Sequence, residues 1–504
     1  MSDRRSRVRR ILLWLGAFGV VSVIAVGAGV VWLYTDAKVS TVGQVRFTEE
    51  LPVPPLAESR IEPDGTRVFD LEMRSGTKEF RPGQATATWG FNGDYLGPTL
   101  RARRGEKVRA DIRNALGEAS TVHWHGMHLP AAMDGGPHQP IEPGATWSPR
   151  WTVDQPAATL WYHPHPHGAT ESHVQRGLAG MFLVDDDSES LPLPRTYGVD
   201  DLPLIVQDVK FRGAGFDHGR GMLSDTGFLG DRTMVNGSLA PSREVGDELV
   251  RLRLLNASTA RIYNFGFADD RPFALIGTDG GLLERPADMA RVQLSPGERA
   301  EIVVRMRPGE RAVLRGYPTD LGLDFYNRRF SGGDDTFDIL ELRAAETLRA
   351  TTRLPDELTS SQLPRATDSV RERTFDLQLA GINNRPMAMD RIDATVVRGT
   401  TETWVVRNTD GMPHNFHVHD VQFAVREVDG APPPPALTGP KDTVALPPGT
   451  TVTLLLRFDG PADPDAPYMY HCHLLWHEDQ GMMGQFVVVE PGGSAGTPAH
   501  HSGH

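Results

Sequence analysis

Ten of the 18 histidines in this chain of 504 residues fall in four short clusters. The clusters comprise His123 and His125; His163 and His165; His414, His417 and His419; and His471, His473 and His477. Because residues i and i+2 of a β-strand share one face, four H-x-H pairs can present eight imidazoles from four strands. One metal ion usually takes about four to six ligands, so this spacing indicates a cluster of several ions.

A second set of ligand types faces away from these pairs. It consists of Cys472, His414, His477 and Met482. Cys472 stands between the two histidines of its pair, and His414 is an odd number of residues from His417, so both point to the opposite face. Two histidines, one thiolate and a distant thioether are the ligands of a blue-copper electron-transfer centre, with zinc as a competitor for the imidazoles. The segment 471–473 would join the two sites through covalent bonds.

Three similar stretches of the chain must position these ligands. They begin near Gly105, Gly246 and Gly399, and Pro-Gly pairs follow at 143–144, 296–297 and 448–449. Short alternating strands with 52 glycines and 39 prolines at turns predict three related all-β domains, each a sandwich or barrel. Long amphipathic helical patterns are absent from the sequence, which disfavours an α/β enzyme. The middle stretch holds a single histidine, so the metal chemistry belongs to the first and third domains.

The N-terminal residues predict export and membrane anchoring. Five arginines precede residues 11–34, a run of 24 residues without a charged side chain. A helix of this length rises about 36 Å, enough to span a hydrocarbon core of about 30 Å. The arginines would stay on the cytoplasmic side and place the body outside. We expect an uncleaved anchor rather than a removed signal peptide, and the Arg9-Arg10 pair resembles a twin-arginine export signal.

The body of the chain is acidic. The formal net charge is −13, and because residues 1–43 contain six basic and two acidic side chains, the remainder carries −17. Such a surface repels nucleic acid and attracts cations, so we expect no nucleic-acid partner. The predicted organisation is an anchor at 1–43, β domains at 44–190, 191–350 and 373–492, a linker at 351–372 and a disordered tail at 493–504.

The four histidine clusters resemble the four signatures of the multicopper oxidases, over roughly residues 45–492. The resemblance implies three cupredoxin-like Greek-key domains and four copper ions (one of type 1, one of type 2 and a type 3 pair) that reduce dioxygen to water. By position it assigns the type 1 ion to Cys472, His414, His477 and Met482, and the type 2 ion to His123 and His417. The type 3 pair falls to His125, His163, His165, His419, His471 and His473. All ten cluster histidines are present, unlike in copper-free relatives that have lost these ligands.

Four further residues match positions with roles in this family. Glu478 corresponds to a proton relay, and Asp134 to the hydrogen-bond partner of cluster-bound water. Asp410 and Met412 are similar to the Asp-x-Met-x-His stretch with which bacterial cuprous oxidases bind substrate Cu(I). The methionine-rich insert that covers this position in other members is absent, since residues 346–372 contain no methionine. Its absence would leave the type 1 edge open to larger phenols or amines.

The preferred hypothesis is an exported, membrane-anchored multicopper oxidase that oxidises Cu(I) and reduces dioxygen. Laccase-like oxidation of phenols or aromatic amines is the alternative within the same class. A copper-binding scaffold without turnover, storing copper or associated with cell division, is the alternative from a different class.

Overall fold

The structure, a computed structural model, describes residues 2–221, 223–350, 353–360, 363–379 and 381–498. Strands account for 45% of the chain and helices for 12%, which confirms the predicted all-β fold with an N-terminal helix. The α-helices of the described residues are Ser2–Asp36, Thr170–Gln175, Phe325–Phe330 and Leu475–Asp479. Short 3-10 turns lie at Ala131–Met133, Asp187–Ser190, Ala366–Asp368 and Pro435–Leu437.

The first β-sandwich packs two sheets around one apolar core. One sheet contains, in spatial order, Leu100–Arg103, Gly180–Asp185, Ala158–His163 and His123–His125. The other contains Ser59–Ile61, Arg67–Arg81, Lys107–Asn114 and Thr146–Trp147, with Gln84–Phe91 and Arg150–Thr152 paired beside it. Alternate residues of Lys107–Asn114 are buried, as expected for a strand with one face on a core.

The middle β-sandwich is the largest. Its first sheet contains Ser238–Leu239, Arg232–Val235, Asp201–Val209, Leu249–Asn256, Arg299–Arg305, Phe273–Thr278 and Gly281–Met289. Its second contains Glu49–Glu50, Pro241–Asp247, Phe337–Arg349, Arg311–Tyr317, Tyr263–Phe267 and Val292–Leu294. A separate small hairpin is formed by Phe211–Arg212 and Gly215–Phe216. Strand Leu249–Asn256 is buried throughout because it lies inside its sheet with both faces covered.

The third β-sandwich has two five-stranded sheets. One contains Gly381–Ile382, Ser369–Gln378, Thr400–Asn408, Thr451–Phe458 and Phe423–Val428. The other contains Ala394–Val397, Met483–Val489, Asp463–His471, His414–Val418 and Thr443–Leu446. This second sheet carries two of the four histidine clusters, so it places them side by side.

Each sandwich has a buried asparagine with the same hydrogen bonds where a long strand ends. Asn114, Asn256 and Asn408 end equivalent strands and are buried. The amide of each donates to two main-chain carbonyls, and its oxygen accepts from the N–H two residues ahead. The same residue closes the same turn three times, in agreement with the similarity of the three sequence stretches.

The segment after the N-terminal helix is attached to the middle sandwich rather than to the first. Glu49–Glu50 pairs in parallel with Pro241–Asp247, and Leu51 packs in the core of the middle sandwich. Residues 44–51 thus lie with the middle sandwich, although the sequence predicted that the first domain begins at residue 44. The difference arises because a strand pairs with whichever sheet edge is free in space, and sequence order does not reveal that edge.

Described parts of the predicted linker and of the predicted disordered tail belong to the folded body. Leu358 is buried in the core of the middle sandwich, and strand Ser369–Gln378 begins inside the predicted linker. In the tail, the backbone N–H of Gly496 donates to the carbonyl of Pro464 at 2.9 Å. This part of the tail is therefore held by the third sandwich, and the remainder, residues 499–504, lies outside the described residues.

A buried charge network joins the first and middle sandwiches. Arg253 donates to Asp201 at 2.7 Å and to Glu301 at 3.0 Å, and Arg251 also donates to Glu301. Thr159 of the first sandwich donates its hydroxyl to Glu301 at 2.6 Å. Burial alone would raise the pKa of Glu301, but the two guanidinium groups outweigh it and lower the pKa to about 2. Each charge in this interface therefore has a partner, as a buried ion pair requires.

Replacing Glu301 by glutamine is expected to destabilise the protein in a pH-dependent way. The folded-state pKa of about 2 lies below the ordinary value of 4.5, so the ionised carboxylate stabilises the fold above pH 4.5. This contribution is lost as the pH falls from there toward 2. Denaturant unfolding of wild type and Glu301→Gln should give a difference in unfolding free energy that shrinks by about 3 kcal/mol across this window. A difference that stays constant with pH would contradict the assignment, and Glu248→Gln, a surface acid of the same sandwich, serves as the control.

Candidate metal centre

The four H-x-H pairs meet between the first and third sandwiches, as their spacing predicted. All eight imidazoles are buried, at most 1% exposed. Rings stack across the boundary, with centroids 3.8 Å apart for His123 and His419 and 3.7 Å apart for His125 and His417. In the sheet of the third sandwich, His417 and His471 are direct cross-strand neighbours. The folding of two sandwiches against each other thus builds one histidine-lined site.

The strand geometry differs from the prediction in one respect. His123–His125 is a single strand, but in the other three pairs the second histidine follows a strand end. These residues are His165, His419 and His473. Pro164 has no N–H for a ladder, and the N–H of His473 donates to the side chain of Asn415 instead of to a neighbouring strand. The paired histidines still converge because each strand ends at the cluster.

Two imidazoles of the cluster have acceptor nitrogens without a donor. Nδ1 of His123 donates to the carbonyl of Asp134 at 3.0 Å, and Nδ1 of His417 donates to that of Asp442 at 2.9 Å. In the neutral rings Nε2 is then the acceptor nitrogen, and neither Nε2 atom has a hydrogen-bond partner among the described residues. Buried acceptors without donors are costly, and a bound cation would remove that cost.

A second group of nitrogens converges at three histidines. Nε2 of His471 lies 3.1 Å from Nε2 of His165 and 3.2 Å from Nε2 of His419. Nδ1 of His419 donates to Asp134 Oδ2 at 2.7 Å, and Nδ1 of His471 donates to the carbonyl of Cys472 at 3.2 Å. Their lone pairs therefore face one another at short distance, an arrangement that a metal ion between them would stabilise.

The remaining contacts of the cluster lie around His163. Nδ1 of His163 donates to the carbonyl of Pro164 at 2.8 Å, and Nε2 of His163 lies 3.4 Å from Nε2 of His473. His125 completes this side, with ring centroids 4.9 Å from His473 and 5.6 Å from His163. Burial lowers the pKa of these three imidazoles well below the usual value, and neighbouring histidines lower it further. The rings are thus neutral, the form that binds metals.

The sulfur site lies on the other face of the same segment, as the residue parity predicted. Cys472 Sγ lies 3.7 Å from Nδ1 of His414 and 3.6 Å from Nδ1 of His477, and these two nitrogens are 3.0 Å apart. Nε2 of His414 donates to Asp410, and Nε2 of His477 donates to the carbonyl of Asp225 at 2.7 Å. Both Nδ1 atoms therefore direct lone pairs at the same point as the sulfur.

Burial raises the pKa of Cys472 to about 12, so without a cation the thiol stays protonated. Met482 is fully buried, and its backbone joins both ligand segments: its carbonyl accepts from Cys472 and its N–H donates to His477. A thiolate, two imidazoles and a thioether match copper better than zinc. The residues present therefore fit one copper ion here and further ions at the histidine cluster.

The two predicted acids contact the cluster directly. Besides Nδ1 of His419, Asp134 approaches Nδ1 of His123, with Oδ1 at 3.4 Å. Glu478 lies 3.3 Å from Nδ1 of His165 and 3.1 Å from Nδ1 of His471. Both carboxylates are 1% exposed.

The middle sandwich supplies residues that sequence reasoning did not find. Arg299, at 0% exposure, donates to both oxygens of Asp442 at 2.7 and 2.6 Å. Asp442 in turn accepts from Nε2 of His125 at 3.1 Å. Gly297 has a positive φ of 87° and passes so close that a Cβ would lie 3.1 Å from His125 and 3.2 Å from His473. The sequence marked Gly297 only as part of a repeated Pro-Gly turn and gave no signal for Arg299 or Asp442, because the roles of all three depend on contacts between sandwiches.

The edge of the sulfur site is covered, in contrast to the open edge that the sequence suggested. His414 and His477 are both at 0% exposure, and Asp225 of the middle sandwich caps His477. Asp410 is 21% exposed on its side chain and accepts from His414 Nε2 at 3.0 Å. Met412, half-buried, donates its N–H to Asp410 Oδ1 at 2.9 Å. Partial burial raises the pKa of Asp410, but His414 and backbone donors outweigh it and lower the pKa overall.

Family models described as multicopper oxidase match residues 72–189 and 354–492. Cell division protein FtsP of Xenorhabdus nematophila is 38% identical over 450 residues, covering 88% of this chain and 93% of the relative. Multicopper oxidase mco of Staphylococcus haemolyticus is 34% identical, covering 87% of this chain and 92% of the relative. A solved structure of a laccase-like multicopper oxidase, CueO of Ochrobactrum sp., is 35% identical with a TM-score of 0.79, covering 87% of this chain and 100% of that one.

Proposed function

Since this chain belongs to the multicopper oxidase family, we propose that it couples the one-electron oxidation of a reductant, Cu(I), to the four-electron reduction of dioxygen to water. The observation that carries the proposal is that one segment, residues 471–473, contributes to both donor sets. Cys472 belongs to the sulfur site on one face, and His471 and His473 belong to the histidine cluster on the other. Four bound copper ions would supply the one-electron steps and the site of oxygen reduction.

The proposed ligands follow the donor sets described above. Cys472, His414 and His477 would hold the type 1 ion, with Met482 as a weak axial ligand. The type 2 ion would be held by His123 and His417. The type 3 pair would be held by the six remaining histidines of the cluster, His125, His163, His165, His419, His471 and His473.

Asp134 and Glu478 are proposed to serve the oxygen-reducing side. Each carboxylate bridges two imidazoles that come from different sandwiches, so each fixes ring orientation across the boundary. Reduction of dioxygen to water also consumes four protons, and these two buried acids are the proposed carriers of protons to the cluster.

The covered edge favours a small reductant. Nε2 of His477 already donates to the carbonyl of Asp225, so a larger reductant such as a phenol cannot use this nitrogen as a hydrogen-bond partner. Asp410 instead offers a partly exposed carboxylate one hydrogen bond from His414, and Met412 lies beside it with a thioether suited to Cu(I). We therefore place the docking site for Cu(I) at Asp410 and Met412.

Oxygen uptake by the copper-loaded protein tests the function directly. The expected result is faster uptake with chelator-buffered Cu(I) than with a simple phenol. The Ochrobactrum relative has oxidase activity towards lignin model compounds, so a clear preference for the phenol would favour the laccase-like alternative. Absence of uptake with either reductant in protein that has bound its copper would favour a scaffold.

The double replacement Asp410→Asn with Met412→Leu tests the docking site. We expect the KM for Cu(I) to rise about tenfold or more, because the change removes both the charge and the thioether that would bind the ion. The KM for a phenol should change little. Steady-state oxygen uptake provides both values, and Asp376→Asn, a surface acid of the same sandwich paired with Arg407, is the control. Equal effects on both reductants would mean that the pair only supports the sulfur site.

A role in cell division is the second candidate function, because several relatives about 38% identical are named cell division protein FtsP. A cell carrying the Cys472→Ser protein in place of wild type separates the two functions. A strain in which the gene is deleted is compared with it. Normal division with lost copper tolerance in the Cys472→Ser strain would favour the oxidase. Defective division with normal copper tolerance in the deletion strain would favour the division role.

We also propose that the chain is exported and stays anchored by its first helix. Within Ser6–Asp36, the most apolar window of 18 residues has a mean hydropathy of 2.4, and none of that window is buried inside the protein. The arginines at the N-terminal end favour a cytoplasmic N-terminus and a body on the outer side. Twin-arginine export, which carries folded proteins, is the proposed route.

A further inference from the structure

An exposed aromatic surface lies where the N-terminal helix meets the body. It consists of Tyr34 near the end of that helix and Phe325, Tyr326 and Phe330 of the short helix Phe325–Phe330; we call it the aromatic collar. Phe325 is 71% exposed and Tyr326 is 39% exposed. Exposed apolar residues grouped in this way mark a surface for interaction.

The collar is one packed unit. The Tyr34 ring lies 6.2 Å from that of Phe325, 6.3 Å from that of Tyr326 and 6.4 Å from that of Phe330. The guanidinium of Arg329 lies 4.5 Å from the centre of the Tyr34 ring. The last turn of the long helix and the short helix of the body therefore lie side by side, at the same height along the axis of the long helix.

The segment that follows the long helix, residues 37–43, is short and is firmly attached to the body, so the body cannot move away from the helix. Backbone N–H groups of Val39 and Gly43 donate to the carboxylates of Asp335 and Asp338, at 2.8 and 2.9 Å. The N–H of Thr41 donates to a carbonyl of the same strand region at 3.0 Å. The position of the long helix thus fixes the position of the collar.

The composition of the long helix indicates that its C-terminal end, and with it the collar, lies at a membrane boundary. Trp14 and Trp32, both exposed, lie near the two ends of the apolar run and are separated by about 27 Å of helix, close to the thickness of a hydrocarbon core. Tryptophan and tyrosine concentrate at the two interfaces of a membrane. If Trp32 and Tyr34 mark the outer interface, Phe325 and Tyr326 reach it as well.

We propose that the aromatic collar inserts into the interfacial region of the outer phospholipid leaflet and holds the body in a fixed orientation on the membrane. The proposal rests on the proposed membrane anchor. The collar's exposed rings fit the apolar side of this boundary. Arg328 and Arg329 form ion pairs with Asp334 beside the collar, and Arg328, whose side chain is 43% exposed, fits the headgroup side.

Spin labelling of the full chain in phospholipid nanodiscs tests the proposal. Cys472 is the single cysteine and is buried, so a cysteine introduced at the surface is labelled alone. Three labelled variants are compared: Gly19→Cys within the helix, where a Cβ meets nothing within 4 Å; Phe325→Cys in the collar; and Val370→Cys, 69% exposed on the third sandwich. The measurement is the accessibility of each nitroxide to oxygen, which concentrates in lipid, relative to a water-soluble nickel chelate.

We expect a high oxygen-to-nickel ratio at position 19, an intermediate ratio at 325 and a low ratio at 370. A ratio at 325 equal to that at 370, with position 19 in lipid, would overturn the collar proposal while leaving the anchor intact. A low ratio at position 19 would instead overturn the anchor. Protection of position 325 from both reagents, with or without dipolar broadening from a second copy, would show that protein covers the collar and would also overturn the proposal.

A second variant tests whether the Tyr34 ring, in addition to the backbone attachment of residues 39–43, holds the collar at the membrane. Tyr34→Ala in the Phe325→Cys background removes the ring that ties the two helices together. The label at position 325 should then become more accessible to nickel, whereas the label at position 19 should not change. An unchanged ratio at 325 would show that Tyr34 does not hold the collar at the membrane.

Discussion

Replacing Cys472 by serine is expected to abolish the blue colour and the oxidase activity of the copper-loaded protein without unfolding it. The hydroxyl is a poor ligand for copper in a site built around a thiolate, and the blue absorption arises from the copper–thiolate bond. Electrons from the reductant would also lose the route through Cys472 to His471 and His473. The activity should fall by more than the roughly 10–100-fold that loss of a supporting hydrogen bond costs at a metal site.

Three measurements decide this prediction: visible absorption, oxygen uptake and circular dichroism of the same preparations. Met482→Leu is the matched control, because it removes only the thioether and keeps the Cys472 sulfur, both imidazoles and the backbone hydrogen bonds of residue 482. The control should keep its colour and most of its activity, since the axial thioether binds weakly and chiefly tunes the potential. Oxygen reduction by Cys472→Ser at the wild-type rate would disprove the proposed path.

Replacing Arg299 by methionine is expected to destabilise the metal-free protein by about 3–5 kcal/mol, the cost of breaking a fully buried ion pair. Arg299 and Asp442 are both at 0% exposure, and removal of the guanidinium leaves the carboxylate charged and without its main partner. The loss also releases the carbonyls of Thr159 and Asp279, which Arg299 holds at 2.9 and 2.8 Å. The three sandwiches would thereby lose a shared contact.

The same change should lower copper occupancy of the histidine cluster. Asp442 holds His125 through its side chain and His417 through its backbone carbonyl, so its displacement disturbs both rings. Chemical unfolding and copper analysis measure the two effects separately. Arg305→Met is the control: it lies on the same strand, is 57% exposed and pairs with a surface glutamate, so it should cost at most about 1 kcal/mol.

If Arg299→Met does not yield folded protein, Asp442→Asn tests the same contact. The amide keeps the size of the carboxylate but removes its charge, so the buried Arg299 loses its main counter-ion and keeps only the more distant Asp279, at 3.9 Å. We expect a similar loss of stability and of copper. Wild-type stability and copper content in Asp442→Asn would show that the pair does not support the cluster.

The separation of the candidate ligands into two groups could be predicted from sequence because it depends on local geometry. A strand sends residues i and i+2 to one face, which is a property of the backbone, so the parity of His471, Cys472 and His473 is enough to separate two sites. The spacing of the glycines and Pro-Gly pairs likewise predicts three repeated β units, because it does not depend on how those units pack.

Only the tertiary structure decided which groups surround those ligands. Arg299 and Asp442 are 143 residues apart, and Asp225 caps His477 across 252 residues. The edge strand Glu49–Glu50 and the aromatic collar also depend on surfaces that come together only when the sandwiches pack. A single sequence contains the residues but not these distances, because contacts between remote segments follow from the packing of whole faces and not from the period of any one strand.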